Sequence, residues 1–186
     1  NWVDEFEKFA PELKVAAFNG NREEREKKFE FINEYDVIVT TYNLLKRDME
    51  NYKDVNFDYC FLDEAQFIKN SNSQNSLAVK EIKAKTRFAL TGTPMENSLM
   101  ELWSIFDFIM PGYLYDEKRF SVRYHKKLKE EPEIIQEVNK LIAPFVLRRK
   151  KKDVIKELPD KIEKTLMVDM EYDQKKVYKA YSDYAM

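Results

Sequence analysis

Short apolar runs and charged stretches of helical spacing alternate along the first two thirds of the chain. Trp2, Phe6 and Phe9 recur at helical spacing and open the sequence on an amphipathic pattern. Lys14–Phe18 (KVAAF) reads as a strand closed by the turn pair Asn19-Gly20. A charged helix is predicted from Arg22 to Asn33, a buried strand over Asp36–Thr40 (DVIVT), and a short helix over Asn43–Met49. Tyr59–Leu62 (YCFL) is an apolar strand ending on Asp63-Glu64, and Ser76–Ala84 is helical. Arg87–Leu90 (RFAL) is a second strand, ending on Thr91-Gly92-Thr93-Pro94. A strong amphipathic helix runs from Ser98 to Ile109, where Pro111 stops it.

Strand–helix–strand alternation implies parallel pairing through right-handed crossovers, so the fold class expected is α/β. Past Pro111 the pattern changes. Asp116–Glu130 and Glu133–Leu141 read as helices, Pro144 precedes the basic run Arg148–Lys152, Lys161–Met170 reads as a strand, and Asp173–Met186 as a closing helix. Two parts are expected: an α/β core over 1–112 and a mainly helical extension over 113–186. Both ends fall inside helical patterns, so the chain is expected to be a piece of a longer protein.

Composition narrows the classes. The 186 residues are 44% hydrophobic and 35% charged, as in a globular domain. With 32 basic against 34 acidic residues, net charge gives no reason to propose nucleic acid, and any such contact must come from a local patch. No apolar run is long enough to cross a membrane, and no signal peptide opens the chain. A single cysteine, Cys60, excludes an internal disulfide and reads as a core residue, and no Cys/His cluster suggests zinc. His125, the only histidine, lies among lysines and reads as surface.

The candidate chemistry stands at strand ends, where an open parallel sheet places its ligands. Adjacent carboxylates after an apolar strand suit metal–nucleotide chemistry, the first holding Mg²⁺ and the second orienting water at a terminal phosphate. Taken alone, Asp63-Glu64 also fits a helix cap or a solvated turn, and Thr91–Pro94 fits an ordinary strand-ending turn. The two in this order, each after its own strand, form a more specific pattern.

Through these segments the sequence resembles the Swi/Snf-type ATPases of helicase superfamily two. DEAQFIKN (Asp63–Asn70) and LTGTPMEN (Leu90–Asn97) resemble motifs II and III. Asn1–Val15 resembles the segment after motif Ia, Tyr35–Leu45 the strand carrying Thr-Thr-Tyr, and Glu101–Gly112 the helix after motif III. Ala143–Glu163 resembles the block preceding the second lobe. The resemblance covers nearly the whole chain, in order. It implies part of a RecA-like (P-loop NTPase) parallel sheet with flanking helices.

The same resemblance implies the site. Asp63 would hold Mg²⁺ with ATP, and Glu64 would activate water. Gln66 stands where the family usually has His and relays hydrogen bonds without titrating. Thr91, Gly92 and Thr93 would couple nucleotide state to DNA contacts, with Asn97 at a matching motif position. Thr40 and Thr41 would meet the phosphate backbone of duplex DNA, and Arg148 and Arg149 would touch DNA or the second RecA-like lobe. The expected cofactors are ATP and Mg²⁺. The expected partners are duplex DNA, the second lobe of the same longer chain and a DNA-bound protein. The expected compartment is the bacterial cytoplasm, or the nucleus in a eukaryote.

One motif of the family is missing from this sequence. None of the three glycines begins the phosphate-binding pattern G-x-x-x-x-G-K-[ST]. The rival readings are a nucleotide-independent docking module and a helicase acting on RNA or unwinding duplexes. Bland readings cover the rest: a solvated face for Arg148–Lys152 and for REEREKK (Arg22–Lys28), and core or interlobe packing for Trp2, Phe6, Phe9 and for Leu102, Trp103, Phe106, Ile109.

Overall fold

The computed structural model describes residues 1–93, 95, 98–129, 131, 133–149 and 164–185. It divides into two units, Asn1–Pro144 and Phe145–Met186. The first unit is α/β, as the alternation of elements requires. In chain order it holds α1 (Trp2–Phe9), β1 (Val15–Ala17), α2 (Arg22–Glu30), β2 (Val37–Val39), α3 (Tyr42–Arg47), α4 (Met49–Tyr52), β3 (Asn56–Leu62), α5 (Gln74–Glu81), β4 (Lys83–Ala89), α6 (Leu99–Ile109), α7 (Glu117–Phe120) and α8 (Ile134–Ile142).

The strands form two parallel pairs, β1 with β2 and β3 with β4. Val15 lies opposite Val37 and Ala17 opposite Val39. In the second pair Asn56 faces Lys83 and Leu62 faces Ala89, so both strands end level. β4 begins four residues before the predicted Arg87, taking Lys83 and Ala84 from the helix expected over Ser76–Ala84. The pairing explains the shift: backbone partners along the whole of β3 extend a strand whose polar amino-terminal half carries no apolar signal.

One core is shared by both strand pairs. Phe18, Leu45, Tyr52, Leu62, Ile68, Val79 and Phe108 are buried in it, with Cys60 and Tyr42 partly buried against it. A second core lies across α6, where Leu102, Trp103 and Phe106 meet Phe120, Tyr124, Ile134 and Val138. Ile105 and Phe108 face the first core, so α6 is apolar on both sides and sits between the two.

Several local readings change in three dimensions. The segment expected as one helix over Asp116–Glu130 is α7 followed by a π-helical turn over Ser121–His125 and a 3₁₀ turn over Lys127–Lys129. His125 lies half-buried there rather than on the surface. α1 buries none of its residues, and Phe9 is 72% exposed, so the core reading of Trp2, Phe6 and Phe9 does not hold. Helix α2 is not wholly solvated. Its Arg25 is 5% exposed, and its guanidinium grips Asp48 through Nε–Oδ2 at 2.6 Å and a second N–H to Oδ1 at 2.9 Å. A third donor reaches the Gly20 carbonyl at 2.8 Å. Asn21 and Glu24 close a capping box at the start of this helix. Gly20 just before it takes φ +89°, and a Cβ there would fall 2.0 Å from the Glu24 carboxylate.

In the second unit, the one regular element among the described residues is α9 (Tyr172–Ala185). Of the strand expected over Lys161–Met170, residues 161–163 lie outside the described residues. Residues 164–170 form no strand with the described residues, and Leu166, Met167 and Val168 are exposed. Extended sequence becomes a strand only against a partner edge, and none is supplied there. Among the described residues no helix is long and apolar enough to cross a membrane.

Candidate functional site

The level ends of β3 and β4 create the site. Leu90 donates its N–H to the Leu62 carbonyl at 2.8 Å, and Ala65 donates to the Leu90 carbonyl at 2.9 Å. The backbone ladder therefore continues one step past each strand and sets Asp63-Glu64 beside Thr91. The chain turns abruptly here. Glu64 adopts φ 48°, ψ 51°, a left-handed conformation that costs a non-glycine residue energy, and then enters a 3₁₀ turn over Ala65–Ile68. That turn is anchored from below: Ser104 of α6, fully buried, donates to the Ile68 carbonyl at 2.6 Å, and Lys69 lies 3.5 Å from Glu101.

The side chains form a connected polar network. Gln66 donates through Nε2 to Glu64 Oε2 at 2.6 Å and accepts from the Thr91 hydroxyl through Oε1 at 3.0 Å. Thr91 Oγ1 in turn accepts the Thr93 N–H at 3.1 Å. Gln66 uses its amide donor and its amide acceptor simultaneously, joining the carboxylate segment to the Thr-Gly-Thr segment. Gly92 has ordinary φ, and no atom of the described residues lies within 4 Å of a Cβ built there. Asn97, together with Pro94 and Glu96, lies outside the described residues.

Asp63 is exposed at the head of this network. Its Oδ1 accepts the Glu64 N–H at 2.9 Å, and its Oδ2 accepts the indole N–H of Trp2 at 2.9 Å. Its main-chain carbonyl accepts the phenol of Tyr42 at 2.9 Å. Burial pushes the Tyr42 phenol well above its ordinary range, and the charges of Asp63 and Glu64 push the same way, so it stays a donor at any physiological pH. An open cavity of about 540 Å³ adjoins Asp63, lined by Trp2, Glu5, Phe6, Phe9 and Ala10.

Thr40 and Thr41 stand at the end of β2. Thr40 donates to the Phe18 carbonyl at 3.2 Å, tying β2 to the end of β1. Thr41 caps α3, its Oγ1 accepting the Leu44 N–H at 3.3 Å. Arg148 and Arg149 are exposed in the second unit, and Lys150–Lys152 lie outside the described residues.

The structure thus brings Asp63, Glu64, Gln66, Thr91 and Thr93 together, and links Asp63 to the Thr40–Thr41 turn through the next residue, Tyr42. Reading the sequence alone missed Trp2 and Tyr42 as neighbours of Asp63. Tyr42 could have been noticed, because it directly follows two candidate contact residues. Trp2 gives no local signal beyond helical spacing.

Two parallel strands ending level, one on a carboxylate pair and the other on a hydroxyl turn, place the first unit among RecA-like nucleoside-triphosphatase folds. The chain belongs to the SNF2-related family, whose domain model matches residues 1–185. It is 41% identical to an uncharacterized ATP-dependent helicase of Mycoplasma genitalium over 178 residues, covering 96% of this chain and 17% of the relative. It is 38% identical to the TATA-binding protein-associated factor MOT1 of Saccharomyces cerevisiae, covering 96% of this chain and 10% of that protein. Among solved structures, the SWI2/SNF2 ATPase core of Sulfolobus solfataricus in complex with double-stranded DNA superposes with a TM-score of 0.74 at 40% identity. That match covers 99% of this chain and 39% of the solved chain. The chain therefore spans under a fifth of these curated relatives.

Proposed function

We propose that this chain is the rear part of the first motor lobe of a DNA-dependent ATPase, one that moves along duplex DNA and remodels the proteins bound to it. The observation that carries the reading is the Glu64–Gln66–Thr91 relay, built by strand register at the carboxyl ends of parallel strands. A docking relic has no use for hydrogen-bonded polar side chains held at a strand end.

In this reading Asp63 is the Mg²⁺ residue. Among the described residues no cluster of three or more acidic, His or Cys side chains could cage a metal. The donor set nevertheless fits Mg²⁺, which binds through one or two carboxylates, with phosphate oxygens and water completing its shell. Bound there with ATP, it would neutralise phosphate charge. Glu64 would orient the attacking water and accept its proton. Gln66 and Thr91 would report occupancy of the site to the Thr91–Thr93 turn, and Asn97, at its matching motif position in the sequence, would take part in the same coupling. Thr40 and Thr41 would meet the DNA backbone through a hydroxyl and main-chain N–H groups. Arg148 and Arg149 would add phosphate contacts or touch the second lobe. The name of the yeast relative, a TATA-binding protein-associated factor, supports a DNA-bound protein as the partner class. Such a motor works in the bacterial cytoplasm, or in the nucleus of a eukaryote.

The test is ATP hydrolysis by the full-length parent protein, with and without duplex DNA. Strong duplex-dependent turnover, reduced roughly 100-fold or more in Glu64→Gln, is the expected outcome. Absence of turnover in folded parent protein would replace the motor with a docking module. Stimulation by RNA instead of duplex DNA would replace it with an RNA-directed helicase.

A further inference from the structure

Tyr42 joins two places that the proposed function keeps apart. It is the first residue of α3, directly after Thr41, which caps that helix. Its hydroxyl donates to the Asp63 main-chain carbonyl at 2.9 Å, across the boundary between the two strand pairs, which share no backbone ladder among the described residues. Its ring packs on Phe67 at 5.5 Å, within the 3₁₀ turn that Glu64 opens. Both ends of the side chain therefore grip the carboxylate-bearing turn, and its backbone belongs to the Thr40–Thr41 turn.

We infer that Tyr42 is a positioning residue that transmits duplex engagement at Thr40–Thr41 to the Asp63-Glu64 peptide. The inference rests on the proposed function and adds a route to it. A phosphate drawn against Thr41 displaces the start of α3, and the phenol carries that displacement to the Asp63 carbonyl. The peptide that follows leads into Glu64 at φ 48°, a strained conformation from which a small push has somewhere to go. The two partners of the Asp63 carboxylate are Trp2 and the Glu64 N–H, whereas Tyr42 meets only its main-chain carbonyl. The hydroxyl thus acts on coupling rather than on the carboxylate's own hydrogen bonds. The route is a contiguous chain of contacts between two sites, the form of connection along which coupling is carried.

The experiment uses the full-length parent protein and compares Tyr42→Phe with Phe67→Leu, reading ATP turnover against duplex concentration. Tyr42→Phe removes the hydroxyl and keeps the ring. It is expected to lower the ratio of stimulated to basal turnover by about 3- to 10-fold, the effect of one lost hydrogen bond. Basal turnover and the duplex concentration for half-maximal stimulation should stay within about twofold. Phe67→Leu removes the ring partner, keeps the hydroxyl, and should leave the ratio unchanged. A merely structural role would scale basal and stimulated turnover together, and an unchanged ratio in Tyr42→Phe overturns the inference. An equal drop in Phe67→Leu overturns it also, because packing and not the hydroxyl would then carry the signal. A wild-type parent that shows no stimulation by duplex DNA removes the proposed function itself, and the inference with it.

Discussion

Tyr52 of α4 is an apolar-core residue with one titratable group. It is 3% exposed, and burial pushes its phenol up to about 12, with the nearby Asp48 charge adding to the shift. Folding therefore favours the protonated form. The stabilisation is complete below the unfolded tyrosine value of about 10 and is lost as pH rises through the folded value. Chemical denaturation at stepped alkaline pH should show stability falling between about pH 10 and pH 12, and Tyr52→Phe should flatten that fall. Cys60 shifts the same way through burial, so its thiol stays protonated and unreactive, in keeping with a core role. The candidate site contrasts with these residues. Gln66 bridges Glu64 and Thr91 with an amide that has no proton to lose, so this bridge persists across the pH range in which a histidine would switch.

At the level of elements, two polar anchors hold what apolar packing alone leaves loose. Arg25 and Asp48 fasten α2 to the start of α4, both nearly sealed from water. Asp48→Ala leaves the guanidinium buried without its partner, and the midpoint of thermal unfolding should fall on the order of 10 °C. The exposed pair Arg22–Glu26 on the same helix is a control, and Glu26→Ala should move the midpoint by about 2 °C or less. Ser104 anchors the other end. Ser104→Ala orphans the buried Ile68 carbonyl beneath the Glu64 turn and should cost about 1–3 kcal/mol in denaturant titration. Neither anchor was legible beforehand, because REEREKK reads as a solvated face and a serine inside an apolar helix carries no pattern. What was legible shares one physical origin: apolar runs of strand length, a proline stop and turn chemistry at Asn19-Gly20 are all local signals. β3 and β4 could be placed next to Asp63 and Thr91 from such signals. The early start of β4 and the absence of a strand over 164–170 among the described residues depend on a partner edge, which is not local information. Trp2 is the sharpest case, since only folding brings it within 2.9 Å of Asp63, 61 positions away.

On the scale of the whole molecule, the described residues cover the β3–β4 pair on one face only. Cys60 and Leu62 point into the core, whereas Tyr59, Phe61 and Phe88 are 63%, 61% and 43% exposed on the other side. Phe61 and Phe88 stack on each other at 4.7 Å, so the exposed surface is one contiguous aromatic patch. Parallel strands are ordinarily buried on both faces, and a bare parallel pair of this kind leaves an apolar patch in water. The 186-residue chain on its own should therefore self-associate, with a weight-average mass that rises with concentration in sedimentation. Phe61→Lys with Phe88→Glu places opposite charges across the pair and should return the chain to a monomer at the same concentrations. A wild-type chain that sediments as a monomer throughout would show that the exposed face is tolerated in water and does not drive association. The same preparation tests catalysis independently. The chain has no G-x-x-x-x-G-K-[ST] segment to cradle the phosphates, so in the proposed function Asp63 and Glu64 would act without a lysine at the β- and γ-phosphates. Turnover by this chain should not rise above the Glu64→Gln background. Activity that did rise above it, and vanished in Glu64→Gln, would mean that the carboxylates and the relay suffice without a phosphate-binding loop.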